Sequence, residues 1–399
     1  MSVSDLSPSA PAVRALLWRD LLGSLRENSP VLTVVVLYWA TTDGLSAFLG
    51  RSLRTLDQAG ASYASYVPII VASLALAFSI WVVHLSLVRN ISIRTREAWR
   101  RLFTEFLSRD RILLSLPVLA LWPVLALAFS VFKELIPEIQ PFYLDQSLHA
   151  LDRAIHLGHD PWTLLQPLFG HPAVTYVIDR LYALWFFVMY FALLLQITST
   201  KDRRLRVRFL LSSMLAWTLL GSLGALLLSS AGPCYFGVVV GSPDPYAPLM
   251  SYLRDTVQNT HLSIFGHELS SQLIAIRVQD MLWDGYRQGG GGLGHGISAA
   301  PSMHVASTWL VARMLQAHGR RVLAICGWSF FAVILLGSIH LGWHYAADGY
   351  ISVAGVWIIW RAVGWWLDRP AVRRFLWPEG EPAREDSHSV PGRGQSGGS

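Results

Sequence analysis

The amino-acid sequence predicts an all-α protein, a polytopic bundle of about eight transmembrane helices with an amphipathic helix at its outer interface. Of its 399 residues, 53% are hydrophobic and only 15% are charged, which leaves too little polar surface for a soluble protein of this length. The apolar residues lie in blocks of about 18 to 22 residues, enough to cross the hydrocarbon core of a bilayer. The arginines gather between these blocks, as they do in the short loops of membrane proteins.

The apolar blocks define the predicted spans. The polar N-terminus lacks the basic, apolar and small-residue pattern of a cleaved secretory signal, so we expect the first span to be retained. Cys234 and Cys326 are predicted to lie near opposite faces of the membrane, which argues against a disulfide between them. The spans are predicted near residues 31–50, 66–88, 112–132, 181–198, 209–230, 303–317, 322–340 and 348–367.

Basic segments predict the orientation of the bundle. Two of them, 89–111 and 201–208, are rich in arginine, and the positive-inside rule places both in the cytoplasm. Alternation of the spans then places the N-terminus, the turn 318–321 and the C-terminal tail inside, and 133–180 and 231–300 outside. Because the basic residues sit in short loops between apolar spans, the net charge of +6 does not indicate a nucleic-acid-binding protein. These residues are Arg89, Arg94, Arg96, Arg100, Arg101, Arg109 and Arg111 in one segment and Lys201, Arg203, Arg204, Arg206 and Arg208 in the other.

The two outer segments differ in character. The first is predicted to contain an amphipathic helix that either lies on the outer membrane interface or packs on the bundle. Its apolar residues recur at helical intervals: Leu144, Leu148, Leu151, Ile155 and Leu157. In the second, the glycine-rich run 288–296 cannot form a regular element and is either a mobile flap over a site or a flexible linker. The tail 378–399 is predicted to be disordered.

Ionisable residues at the ends of apolar helices are costly unless they serve a function, and two such segments stand out. The first is Ala300-Pro301-Ser302-Met303-His304, which opens the sixth predicted span. Pro301 suits a first helical turn, and the free N–H groups and positive dipole end of the helix favour a bound anion beside Ser302 and His304. This segment predicts a phosphate site.

The second segment runs from Gly337 to Asp348, across the end of the seventh span and the start of the eighth. His344 and Asp348 are four residues apart, so on a helix they share a face and the carboxylate can orient the imidazole. Alternation of the spans places His304 and His344 on the same outer face. Two histidines, one held by an aspartate, suit phosphoryl transfer, in which one attacks phosphorus and the other protonates the leaving oxygen.

Each histidine also has a structural interpretation as a hydrogen-bonded residue at a helix end. For His340 this interpretation is preferred, although the residue could orient a substrate. The spacing His340-x-x-x-His344-x-x-x-Asp348 also fits metal ligands on a helix, so a membrane metalloenzyme is one alternative. Against it, di-iron membrane oxidases need more histidines, clustered on the inner face. A transporter or a pure binding protein is another alternative.

These two segments resemble the signatures of the type-2 phosphatidic acid phosphatase superfamily. The segment 300–304 resembles its Pro-Ser-Gly-His signature and is closer to the Pro-Ser-x-His of fungal inositol-phosphorylceramide synthases. The segment 344–348 resembles the His-Tyr-x-x-Asp of those enzymes and of sphingomyelin synthases. Residues 230–235 are similar to a Gly-Pro-rich stretch of the synthase-like branch. The resemblance is strong over 296–350 and only architectural elsewhere.

The resemblance implies a role for each residue of the triad. His344 would be the nucleophile that forms a phosphohistidine, and Asp348 would be its partner. His304 would protonate the leaving group and then act as the base for the acceptor. No metal or organic cofactor is implied.

Two cations of the phosphatase signatures are missing from this sequence. The first signature, a lysine separated from an Arg-Pro pair, is absent: Lys133 and Lys201 are the only lysines, and neither has that context. Ser338 stands where the third signature has arginine. We therefore expect Arg287, Ser302 and helix N-terminal amides to meet the transition-state charge. The predicted substrate-binding set is Ser302, Ser338, His340, Pro233, Tyr235 and Arg287.

These departures favour the synthase-like branch over a simple phosphatase. The resemblance implies an integral membrane lipid phosphotransferase. Alternation of the spans places its site on the extracytoplasmic side, and we expect the plasma (inner) membrane as its location. The donor would be a membrane lipid phosphate or phospholipid, and the acceptor a lipid or polyol hydroxyl, or water. A hydrolase of phosphatidate or polyprenyl pyrophosphate is the near alternative. The expected divisions are a cytoplasmic segment 1–30, N-terminal membrane helices 31–200, a catalytic core 201–370 and a cytoplasmic tail 371–399.

Overall fold

The computed structural model is almost entirely helical, as the sequence predicts. It describes residues 10–50, 94–258, 263–264, 267–268, 272–288 and 296–378, and separate pieces of 67–92. Parts of the predicted span 66–88, Arg89, residues 289–295 of the glycine-rich run and residues 379–399 of the tail lie outside the described residues.

The helices are numbered here in chain order. In the first half they are α1 (Ala10–Phe48), α2 (Arg96–Arg101), α3 (Arg109–Ile139), α4 (Asp145–Ile155), α5 (Pro161–Phe169), α6 (Pro172–Ile197) and α7 (Arg203–Leu227). A π-helical turn, Leu102–Phe106, follows α2, and another, Ala216–Gly224, lies within α7.

The second half continues with shorter helices before the long ones resume. They are α8 (Phe236–Val239), α9 (Ala247–Gln258), α10 (Ile274–Arg287), α11 (Met303–Ala317), α12 (Arg321–His340), α13 (Ala346–Leu367) and α14 (Pro370–Leu376). A 3₁₀ turn, Pro233–Tyr235, precedes α8. Two two-residue strands, β1 (Ser263–Ile264) and β2 (His267–Glu268), pair antiparallel.

Within the described residues, six helices are long and apolar enough to cross a membrane: α1, α3, α6, α7, α12 and α13. Each contains or overlaps a predicted span, and the chain is an integral membrane protein. The predicted span 303–317 is a helix, α11, but its 15 residues extend only about 22 Å, less than a hydrocarbon core of about 30 Å. Since α11 packs against α6, α7, α12 and α13, it is enclosed by other helices.

The arginines after residue 202 lie within α7 and not in a loop, which corrects the predicted start of that span at residue 209. Arg206 is fully buried there. Its guanidinium donates to the carbonyls of Ile197 and Leu114 and to Asn28, and it forms an ion pair with Glu27 at 3.4 Å. These partners satisfy the charge, so α7 can begin with arginines inside the bundle.

The predicted amphipathic helix is α4, which has one exposed face and one buried face. Leu151 and Ile155 are exposed, as an interfacial helix requires. The opposite face, with Asp145, Leu148 and Asp152, is buried against the bundle. Both sequence interpretations therefore hold in part, and the inward face is acidic where an apolar one was expected.

Candidate active site

His304 and His344 meet at one end of the bundle. His304 lies in the first turn of α11, and His344 lies in the loop between α12 and α13. Their facing ring nitrogens, Nδ1 of His304 and Nε2 of His344, are 3.4 Å apart. The carbonyl of Ser338 accepts the N–H groups of Trp343 and His344, which folds the loop back over the end of α12.

Asp348 contacts the second ring nitrogen of His344. Its Oδ2 lies 3.4 Å from His344 Nδ1 and accepts the Tyr345 N–H at 3.1 Å. The inference that His344 and Asp348 share a helix face is wrong, because α13 begins only at Ala346. The contact forms because a carboxylate in the first turn reaches back toward the preceding loop, as in a capping box.

Aromatic rings confine the imidazole of His304. Tyr182 stacks on it at 4.7 Å between ring centroids, and the ring of Trp185 lies 4.0 Å away. The Trp185 indole N–H donates to the Ser307 hydroxyl, one turn further along α11. This bond fixes Trp185 and so limits the rotation of His304.

Both imidazoles line a cavity of about 470 Å³, a volume typical of small-molecule sites. Along α3 it extends from Trp122 to Lys133, about 16 Å. Most of its wall is apolar or aromatic. The aromatic rings come mainly from α3, α6 and α7: Trp122, Phe129, Tyr182, Trp185, Phe186, Tyr190 and Trp217.

Lys133, near the end of α3, lines the same cavity as the histidines. Its stem packs against Gly296, where a Cβ would lie 3.0 Å from Lys133 Cγ and where φ is +95°. No carboxylate among the described residues pairs with its ammonium group. The sequence interpretation set Lys133 aside because it lacks the Arg-Pro context. Its position at the end of an apolar span was the signal that could have found it.

Two predicted substrate-binding serines hold backbone in place. The Ser302 hydroxyl accepts the Val305 N–H as the N-cap of α11. The Ser338 hydroxyl donates to the carbonyl of Leu335. Both serines are buried, and neither lines the cavity.

His340 is fully buried away from the cavity. Its Nε2 lies 2.9 Å from the Thr175 hydroxyl, and its ring packs edge-on against Phe169. His340 and His344 therefore face different partners, and the metal-ligand spacing read from the sequence does not bring three donors together. This environment agrees with a structural role for His340.

Of the remaining predicted residues, one lines the cavity, one is buried outside it and one is exposed at the surface. Tyr235 lines the cavity, and its hydroxyl donates to the carbonyl of Gln279. Pro233 is buried in the 3₁₀ turn. Arg287 is exposed at the end of α10 and does not line the cavity.

Three buried aspartates near the site were not among the predicted residues. Asp145 accepts the backbone N–H groups of residues 231 and 232. Asp152 accepts N–H groups in the first turn of α13, and Asp179 accepts N–H groups in the first turn of α10. Burial raises the pKa of Asp152 to about 6, against the lowering effect of its two backbone hydrogen bonds. Their signal in the sequence was an acidic residue within an otherwise apolar helical face.

A family model described as the PAP2 superfamily matches residues 146–365, more than half of the chain. The matched segment contains His304, His344 and Asp348, whereas Lys133 precedes it. Comparison with curated proteins found no match, and comparison with solved structures found none.

Proposed function

The chain belongs to the PAP2 superfamily, the type-2 phosphatidic acid phosphatases, and from this we propose that it transfers a phosphorylated head group between membrane lipids through a phosphohistidine. Membership and the six apolar helices make it a membrane enzyme of the phosphatase and phosphotransferase type. The observation that carries the finer proposal is the 3.4 Å contact between His304 and His344 inside a cavity that Lys133 also lines.

In the first half-reaction, Nε2 of His344 attacks phosphorus and the bond from phosphorus to the leaving lipid oxygen breaks. Protonated His304 gives its proton to that oxygen. Asp348 stabilises the charge on the phosphorylated imidazole from the Nδ1 side. In the second half-reaction, His304 takes the proton of an acceptor hydroxyl, whose oxygen attacks phosphorus and releases His344.

The two imidazoles are too close together for a substrate phosphoryl group to lie between them. At 3.4 Å the two ring nitrogens are in contact, and a phosphoryl group with an in-line leaving oxygen does not fit between them. Binding therefore has to separate the rings. The 3.4 Å from His344 to Asp348 also exceeds the 2.7–2.9 Å typical of a charge-assisted hydrogen bond, so we expect this contact to shorten as His344 becomes charged.

Lys133 supplies the positive charge that the missing signature residues would have provided. It shares the cavity with the imidazoles and lacks a carboxylate partner among the described residues, so its charge is available to a phosphate oxygen. The exposed position of Arg287 favours Lys133 for this task.

The cavity wall supports a lipid donor and a hydroxyl acceptor. Its aromatic and apolar surface suits hydrocarbon and excludes water, which disfavours hydrolysis. We propose a phospholipid donor and a lipid hydroxyl acceptor, as in the inositol-phosphorylceramide synthases that the sequence motifs resemble.

We place the site on the extracytoplasmic side. Arg203, Arg206 and Arg208 lie in the first turns of α7, and Arg321 begins α12. Both helices run from this arginine-rich end toward the end that holds the histidines. The positive-inside rule then puts the arginines in the cytoplasm.

The test is a lipid-product assay on the purified full-length protein. Inositol-labelled phosphatidylinositol is supplied with and without ceramide, and labelled phosphatidate is supplied alone, with products separated by thin-layer chromatography. Label transferred to ceramide supports the proposal. Release of water-soluble label at the same rate without ceramide would identify a hydrolase, and a wild type that turns over neither donor would refute the proposed function.

A further inference from the structure

The buried face of α4 binds backbone at both sides of the active site. Asp152 accepts the N–H of Ala346 with Oδ2 and that of Ala347 with Oδ1, each at 2.8 Å. Two turns earlier, Asp145 accepts the N–H groups of Ala231 and Gly232, with its shortest contacts at 2.9 and 2.8 Å. Both carboxylates are 1% exposed.

Asp152 holds the segment that carries His344. The first N–H groups of a helix have no partner within the helix, and a carboxylate is favoured there by the helix dipole. Ala346 and Ala347 follow His344 closely and precede Asp348. Tyr345, which lies between His344 and Ala346, donates its N–H to Asp348 and its O–H to Asp145, the latter at 2.8 Å. The nucleophile's segment is therefore attached to α4 at both aspartates.

Asp145 supports the segment that carries His304 indirectly, through the backbone of residues 230–232. The 231–232 backbone that Asp145 binds is continuous with Ser230. The Ser230 carbonyl accepts the Ala299 N–H at 2.9 Å, and its hydroxyl accepts the Ala300 N–H at 3.1 Å. Ala300 leads directly into α11 and His304. A single helix thus connects the backbone supports of both imidazoles.

We infer that α4 is a clamp that sets the separation of His304 and His344, and that Asp145 and Asp152 are positioning residues for phosphoryl transfer. Neither carboxylate lines the cavity, so both act through the backbone N–H groups and the Tyr345 hydroxyl that they bind, and not on the substrate. The inference rests on the proposed roles of the two histidines.

The test uses Asp152→Asn in the purified full-length protein. The amide keeps the shape of the side chain but offers one acceptor oxygen, so either Ala346 or Ala347 loses its bond. A shift of the nucleophile lowers turnover without weakening substrate binding. We expect kcat to fall on the order of 10- to 100-fold, with KM changed less than about twofold. Amide hydrogen exchange in the first turn of α13, which needs no substrate, is expected to become faster.

Two further variants complete the design. Tyr345→Phe removes only the hydroxyl bond to Asp145 and is the milder test if Asp152→Asn does not fold. Glu27→Gln is the matched control, since Glu27 is a buried carboxylate that pairs with Arg203 and Arg206 at the opposite end of the bundle. It should lower thermal stability while the kcat of the folded protein stays near the wild-type value.

The outcomes separate this inference from the proposed function. If Asp152→Asn and Tyr345→Phe keep wild-type kcat, or if exchange in α13 is unchanged, the clamp is refuted. A loss of kcat in Glu27→Gln as large as that in Asp152→Asn would reduce the effect to general destabilisation and also refute it. Persistence of turnover in His344→Ala would instead refute the proposed function.

Discussion

Replacement of Lys133 by methionine separates the function of this residue from its contribution to stability. Methionine keeps an unbranched side chain of similar reach and removes the charge. Because Lys133 has no carboxylate partner among the described residues and lines an apolar cavity, its charge costs free energy in the folded state. We expect the melting temperature of Lys133→Met to equal or exceed that of the wild type.

Turnover should change in the opposite direction. A phosphate oxygen about 4 Å from an ammonium group gains about 4 kcal/mol at an effective dielectric constant of about 20. Loss of one preorganised transition-state contact costs about 2.7–4 kcal/mol in enzymes that stabilise an oxyanion. Both figures predict that kcat/KM falls on the order of 100- to 1,000-fold.

The assay is turnover of the phospholipid donor by purified variants, with melting temperatures measured in the same detergent. Lys201→Met is the matched control, because Lys201 is the only other lysine and is exposed between α6 and α7 at the arginine-rich end. It should retain wild-type turnover. If Lys133→Met keeps kcat/KM within about threefold of the wild type, or loses activity only together with stability, the assignment of Lys133 to the phosphate is refuted.

Three other predictions follow from the described contacts. His344→Ala and Asp348→Asn should each abolish lipid turnover in a protein that still inserts and elutes as a folded species; near-normal activity in either would contradict the assigned roles. Arg206→Met removes one of the two arginines that pair with Glu27 and should lower the free energy of unfolding by about 1–3 kcal/mol, measured by denaturation in detergent, with the kcat of the folded fraction retained. The pKa of Asp152 is about 6 in the folded protein and about 3.9 in an unfolded chain, so the folded state binds the proton more tightly. The free energy of unfolding should therefore fall as pH rises from about 4 to about 6. Melting curves of Asp152→Asn should depend less on pH across this range, and an unchanged slope would show that Asp152 does not titrate there.

Most of the fold follows from hydropathy because lipid imposes a simple rule on sequence. A chain that crosses hydrocarbon must satisfy its backbone within each segment, so long apolar blocks become helices. The same rule does not locate helix ends. The sequence predicted a loop position for Arg206, because an isolated charge is excluded from the bundle. The partners that allow its burial are Asn28 and the carbonyls of Leu114 and Ile197. Such distant partners are not visible in a local window.

The site was predictable to the extent that it depends on helix ends. Alternation of spans predicted that His304 and His344 lie at the same end, and the structure brings their rings into contact. It did not predict that His344 lies in a loop, because four-residue spacing suggests one helix. The acidic face of α4 was also missed, since its carboxylates are satisfied by backbone N–H groups that carry no side-chain signal.

The distribution of compensated charge distinguishes the two ends of the bundle. At the cytoplasmic end proposed here, buried Arg206 is matched by Glu27 and by carbonyls, which is what a purely structural charge requires. At the other end, the buried aspartates are matched by backbone N–H groups. Lys133 has no such match in the described part of the chain, although an unpaired ammonium in an apolar cavity is unfavourable. Under the function proposed above, a substrate phosphate brings the counter-charge that Lys133 lacks, and binding then relieves the unfavourable free energy of its unpaired ammonium group.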